Sequence, residues 1–178
     1  MEAVIFLDID GVLNSFQWME RAESVAVPNA RKAAERVARA AHYLEIPRTE
    51  LARDLQRLDP DAVARVARLA RDTKSRIIMS SSWRAVIDYR GLDEMFSQIA
   101  DWPPGLIRDQ TPMLDMLFGR GREIDAWLET NPCEHYIILD DLPPEAFEGR
   151  EHRLVQTDME AGFQEEHCMR AGELLNRR

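Results

Sequence analysis

The chain has 178 residues, 45% apolar and 31% charged. This composition suits one globular domain with an insertion and excludes wholesale disorder. A net charge of −9 excludes a broadly basic nucleic-acid-coating surface, although a local basic patch stays open.

The first predicted element is the apolar run Val4, Ile5, Phe6, Leu7, which stops at Asp8, Ile9, Asp10, Gly11. A continuous apolar run reads as a strand buried on both faces, the mark of a parallel sheet covered by helices. The run lacks a basic leader and is too short for a secretory signal, and nothing else approaches a bilayer span of roughly 18 residues. Cys133 and Cys168 form neither a disulfide framework nor a Cys/His cluster. A reducing cytoplasm is therefore the expected compartment, with no membrane association.

Residues 15–58 break the strand–helix alternation. They read as a helical insertion with helices over about 29–44 and 50–58, the second capped by Thr49 and carrying Leu51, Leu55 and Leu58 on one face. Residues 29–71 hold ten Lys/Arg and six Asp/Glu, against a net charge of −13 elsewhere. Such asymmetry attracts an anionic substrate, or marks a solvated helical face. Asp59 and Pro60 then open a helix with Val63, Val66, Ala67 and Ala70 on one side.

A second strand, Ile77, Ile78, Met79, ends at Ser80, Ser81, Ser82. A helix striped by Ile124, Trp127 and Leu128 stops at Asn131-Pro132. A third strand, 136–139, ends at Asp140 and Asp141, and a weaker fourth, 153–156, ends at Thr157 and Asp158. Cys168, Ala171 and Leu175 stripe a terminal helix. Strands alternating with helices predict an α/β fold with a doubly wound, mainly parallel, Rossmann-like sheet, as a single domain over 1–178.

The polar clusters sit where apolar strands stop, and ligands of open α/β sheets bind outside the carboxyl ends of the strands. Gathered there, Asp8, Asp10, Asp140 and Asp141 repel one another, and a hard dication such as Mg2+ resolves the repulsion through oxygen ligands. Asp8 and Asp10, two residues apart, face the same side, and Gly11 allows a sharp turn beside a ligand. One carboxylate can attack while the other exchanges a proton with the leaving group. Strand-end acids also serve as helix caps, a role that two paired sets make the poorer account.

Phe6-Leu7-Asp8-Ile9-Asp10-Gly11-Val12-Leu13 resembles motif one of the haloacid dehalogenase-like (HAD) phosphohydrolases. Ile78-Met79-Ser80 resembles their motif two, and Ile138-Leu139-Asp140-Asp141 the paired-acid form of motif four. The resemblance covers residues 4–162. With Asn14, Ser81-Ser82-Trp83-Arg84 and Glu123-Ile124, the set is similar to the small HAD domain found alone or in bacterial RNA-repair polypeptides.

The resemblance implies a Mg2+-dependent phosphomonoesterase working through an aspartyl-phosphate. Asp8 would be the nucleophile and Asp10 the acid/base. Asp8, the Asp10 carbonyl, Asp140 and Asp141 would hold the metal. Ser80 or Ser81 would bind the phosphoryl group. Motif three would supply a basic residue, with Arg122 chosen for its place before the apolar stripe and Arg120 as the fallback.

Under the same resemblance, 15–58 would be a small helical cap. A small cap leaves an open site, favouring a nucleotide, a polynucleotide end or another bulky phosphomonoester. A phospho-acceptor signalling domain is the alternative from another class, although its adjacent acids come early in the chain and here they come late. No obligate protein partner is indicated.

Overall fold

The structure, a computed structural model, describes residues 2–22, 30–114 and 119–176, apart from the side chain of Ala22. Five strands form one sheet: β1 (Ala3–Leu7), β2 (Ser75–Met79), β3 (Ile107–Gln110), β4 (Tyr136–Asp140) and β5 (Leu154–Gln156). Seven helices accompany them: α1 (Phe16–Ala22), α2 (Ala30–Ala40), α3 (Arg48–Arg57), α4 (Pro60–Thr73), α5 (Tyr89–Ser97), α6 (Gly119–Thr130) and α7 (Glu165–Asn176). The sheet order is β3-β2-β1-β4-β5, and every pairing is parallel.

Alternation within β1 explains the two layers. Ile5 and Leu7 join one apolar cluster with Val63 and Val66 of α4 and Leu92, Met95 and Phe96 of α5. Val4 and Phe6 point to the other side, among Ile124 and Trp127 of α6. Right-handed crossovers require this split. The chain steps from β1 to β2 to β3 in one direction, then reverses to reach β4, so α6 lands on the opposite face. The reversal puts the topological switch point between β1 and β4, where a ligand crevice is expected. Trp127 fixes α6 there: its ring meets Phe6 edge-on at 5.4 Å, and Nε1 donates to Asp109 of β3 at 2.7 Å.

The parallel, doubly wound expectation holds. Asp59 caps α4, its side chain accepting from the Asp61 amide at 2.8 Å. Three elements escaped the sequence reading. β3 reads Ile-Arg-Asp-Gln, and only Ile107 is buried, because an edge strand pairs on one side and needs no continuous apolar run. α1 is a seven-residue helix with no acidic residue in its first turn. α5 is capped by Asp88, whose carboxylate accepts from the Gly91 amide at 3.2 Å.

Within the insertion, α2 ends at Ala40 rather than 44, and α3 begins at Arg48 with Pro47 as a cap that makes no side-chain bond. Asn29 lies outside the described residues. The insertion builds no separate core. Ala34 and Val37 of α2, and Leu51, Leu55 and Leu58 on and just after α3, belong to the same cluster as Ile5 and Leu7. Trp18 Nε1 ties α1 to α3 through the Gln56 carbonyl at 3.2 Å. Among the described residues, no helix is long and apolar enough to cross a membrane.

A shared core predicts one cooperative thermal transition. Leu55→Ala, at a fully buried position, should cost about 2–5 kcal/mol and shift that whole transition. An independently melting insertion, seen as a separate calorimetric peak, is the opposite result.

Candidate active site

Asp8 follows β1 on the side that Phe6 faces, toward α6. It is 4% exposed, and its amide donates to the Leu139 carbonyl at 3.0 Å. The chain then turns tightly, the Ile9 carbonyl accepting from the amides of Val12 and Leu13 at 3.1 and 2.8 Å. Gly11 sits at φ +67°, and a Cβ there would lie 2.6 Å from Asp141 Cβ. Only glycine suits both demands.

Asn14 braces this turn. Its Oδ1 accepts from the Gly11 amide at 2.9 Å, and its Nδ2 donates to Asp10 Oδ1 at 2.8 Å. Trp83 Nε1 donates to Asp10 Oδ2 at 3.0 Å, so both carboxylate oxygens of Asp10 are held. From β5, Thr157 Oγ1 donates to the Gly11 carbonyl at 2.6 Å. Neither Asn14 nor Thr157 is among the site residues the sequence points to. α3 forms a nearby wall. Burial raises the pKa of its Asp54, and the charge of Asp10 adds a smaller push.

The three-serine run resolves by hydrogen bonding. Ser81 Oγ caps the following turn, accepting from the Trp83 amide at 3.3 Å. Ser80 is fully buried, and its Oγ has no partner among the described residues. Ser80 therefore has its whole hydroxyl unpartnered, whereas the Ser81 oxygen is engaged as a cap acceptor.

Asp140 ends β4 with no exposure. Its Oδ1 accepts from the Leu142 amide at 3.0 Å. One oxygen each from Asp8, Asp140 and Asp141 lies within 4.8 Å of the others. The Asp10 carboxylate stands outside that group. Burial, reinforced by the charge of Asp8, pushes Asp140 up to about 7. Burial and then Asp8 also raise Asp141.

The basic residue of the site is Arg120, which corrects the first choice of Arg122. Arg120 Nη1 lies 3.2 Å from Asp8 Oδ1 and 3.1 Å from Asp140 Oδ2. Burial opposes its charge, but Asp8 and Asp140 outweigh that effect and raise its pKa. Arg122 is exposed and lines a separate surface depression with Asp125 and Arg150. Helical geometry explains the difference. Arg120 precedes Ile124 by one turn and shares its inward face, whereas Arg122 is rotated about 200° from Arg120. Arg84, fully buried, pairs with Glu123.

The residues fit a divalent cation. Three clustered carboxylates offer hard oxygen ligands, and buried Asp8 Oδ1 lacks a hydrogen-bond partner despite the nearby Arg120 charge. A bound Mg2+ would supply positive charge to the carboxylates and to phosphate oxygens.

A family model described as the HAD domain in Swiss Army Knife RNA repair proteins matches residues 4–168. No curated protein and no solved structure matches the chain.

The raised pKa of Asp140 has a definite sign in stability. A folded value of about 7 against the usual 3.8 means the native state holds the extra proton. That contribution is present below pH 3.8 and lost as pH rises through 7. In EDTA, wild-type Tm should therefore fall relative to Asp140→Asn between about pH 4 and pH 8. Millimolar Mg2+ at pH 8 should raise wild-type Tm and leave the variant unmoved. Parallel curves for the two proteins would refute the assignment.

Proposed function

The chain belongs to the family of HAD domains in Swiss Army Knife RNA repair proteins and is a HAD-type hydrolase; from that premise we propose that it is a Mg2+-dependent phosphomonoesterase. One observation carries the reading. Asp8 and Ser80 are buried at the ends of neighbouring strands, Ser80 Oγ is without a hydrogen-bond partner, and the Arg120 guanidinium lies 3.2 Å from Asp8 Oδ1. Such a set has a nucleophile, a hydroxyl donor and a cation, and phosphoryl oxygens would accept from the hydroxyl and the guanidinium.

Phosphoryl transfer needs in-line positioning and neutralised equatorial oxygens. Asp8 attacks phosphorus, and the bond to the leaving oxygen breaks as Asp10 gives that oxygen its proton. The product is an aspartyl-phosphate and a free hydroxyl. Asp10, now a carboxylate, takes a proton from water, whose oxygen attacks the same phosphorus. The acyl-phosphate P–O bond breaks, inorganic phosphate leaves and Asp8 is restored. Trp83 and Asn14 hold Asp10 in place for both proton transfers. Ser80 and Arg120 bind the equatorial oxygens. Asp8, the Asp10 carbonyl, Asp140 and Asp141 would hold the Mg2+.

The substrate class proposed is a nucleotide or the phosphorylated end of a polynucleotide. The family name concerns RNA repair proteins. The net charge of +4 over residues 29–71 suits an anionic chain. Phe16, Tyr43 and Met113 are exposed, and each belongs to a segment tied to the site. Phe16 follows the Asp8 turn, Tyr43 donates to the Arg84 carbonyl, and Met113 follows the β3 end that Arg84 also binds. Exposed apolar and aromatic groups on such segments suit stacked bases.

The purified protein should release phosphate from 4-nitrophenyl phosphate with Mg2+, and faster from one member of a panel of nucleotides and 3′- or 5′-phosphorylated oligonucleotides. EDTA or Asp8→Asn should reduce release to background. A folded wild type that releases nothing overturns the reading. A phospho-enzyme stable for minutes to hours would instead indicate a phospho-acceptor switch.

A further inference from the structure

Arg84 is among the largest fully buried side chains of the described residues, yet it has no direct contact with the carboxylate cluster. Its guanidinium joins three separate segments. Nη1 donates to the Ser80 and Ser81 carbonyls. Nε donates to the Thr111 carbonyl at 3.0 Å and Nη2 to the Pro112 carbonyl at 3.3 Å. Nη2 also donates to Glu123 Oε2. The same Glu123 oxygen lies 3.8 Å from Arg120 Nε, one helical turn earlier on α6. Glu123 Oε1 accepts from the Leu114 amide at 3.2 Å.

A buried ion pair of this kind is a poor device for stability, since desolvation cancels much of its attraction. Burial indeed pulls the Arg84 pKa down, with Glu123 opposing. What the pair does supply is geometry. Arg84 fixes the end of β2, which carries Ser80, against the start of α6, which carries Arg120. Glu123 then stands at the rear of the Arg120 side chain, opposite the pull of Asp8 and Asp140. Without that rear anchor, Arg120 is held by the carboxylates alone and is drawn into them, away from a phosphoryl oxygen.

We propose that Glu123, itself held by Arg84, is a positioning residue that sets how far the Arg120 guanidinium reaches over Asp8. The inference rests on the phosphomonoesterase reading above, with Arg120 binding the phosphoryl group. Neither residue touches substrate. What Glu123 does through its own contact with Arg120 disappears when Arg120 is absent, whereas an effect relayed by Arg84 to Ser80 would persist.

The test is a double-mutant cycle on 4-nitrophenyl phosphate hydrolysis. Glu123→Gln keeps size but removes the charge and one of the two acceptor oxygens. It should lower kcat on the order of tenfold to a hundredfold, the usual cost of losing a group that orients another. In an Arg120→Gln background, followed at enzyme concentrations high enough to read the residual rate, Glu123→Gln should change kcat by less than twofold. Glu123→Asp should recover part of the loss. Equal losses in both backgrounds, or no loss in either, overturn the proposal, because a purely structural role would act whether or not Arg120 is present.

A second arm does not need turnover. In arginine-selective 1H–15N spectra, the Arg120 Nε–H signal should move on Glu123→Gln, and an unmoved signal overturns the proposal. Should the wild type release no phosphate, the phosphomonoesterase reading falls and this arm alone decides whether Glu123 anchors Arg120.

Discussion

Mutual repulsion among carboxylates at the ends of β1 and β4 is the constraint around which the rest is arranged. Oxygens of Asp8, Asp140 and Asp141 lie within 4.8 Å of one another, largely out of water. Two charges 4 Å apart at an effective dielectric of 20 repel by about 4 kcal/mol. Three such carboxylates cannot all be ionised together without a cation. The consequence is visible in Asp140, pushed to about 7, and in Arg120, drawn between Asp8 and Asp140. A single guanidinium offsets part of the repulsion and leaves room for a dication to offset the remainder.

Strand register makes the convergence unavoidable. Leu7 pairs with Met79 on one side and Leu139 on the other. The next residues are Ser80, Asp8 and Asp140, so one hydroxyl and two carboxylates lie in one row across three adjacent strands. A slip of one residue in either pairing would break that row and turn side chains to the wrong face. Fully apolar strands resist such a slip weakly by pattern alone, since both faces are buried. The contrast between Phe6 edge-on against Trp127 and Ile5 among the α4 and α5 side chains adds the missing discrimination.

The sequence carried the row but not its supports. Four strands were readable as apolar runs, because central parallel strands are buried on both faces. β3 was not, since three of its four residues are incompletely buried and Asp109 serves as an acceptor for Trp127. The acidic pairs announced themselves by ending apolar runs. Arg120 was misplaced by two residues because nearness to the stripe was weighed above angle around the helix, although the spacing Arg120, Ile124, Trp127 contained the answer. Ser80 and Ser81 differ only in which hydroxyl is used as a cap, which depends on the turn that follows. Glu123 and Arg84 lie 39 residues apart, and no local pattern pairs them.

The helical insertion bears on how substrate enters. A lid that closes over a site needs a hinge and a face that can leave the core cheaply. Here Leu51, Leu55 and Leu58 are embedded in the main cluster with at most 1% exposure. Lifting α3 away would return three leucines to water, at about 1.5–3 kcal/mol each. The Trp18 bond to Gln56 and the Tyr43 bond to the Arg84 carbonyl would have to be kept or broken as well. Hence α3, with Asp54 near Asp10, acts as a fixed wall.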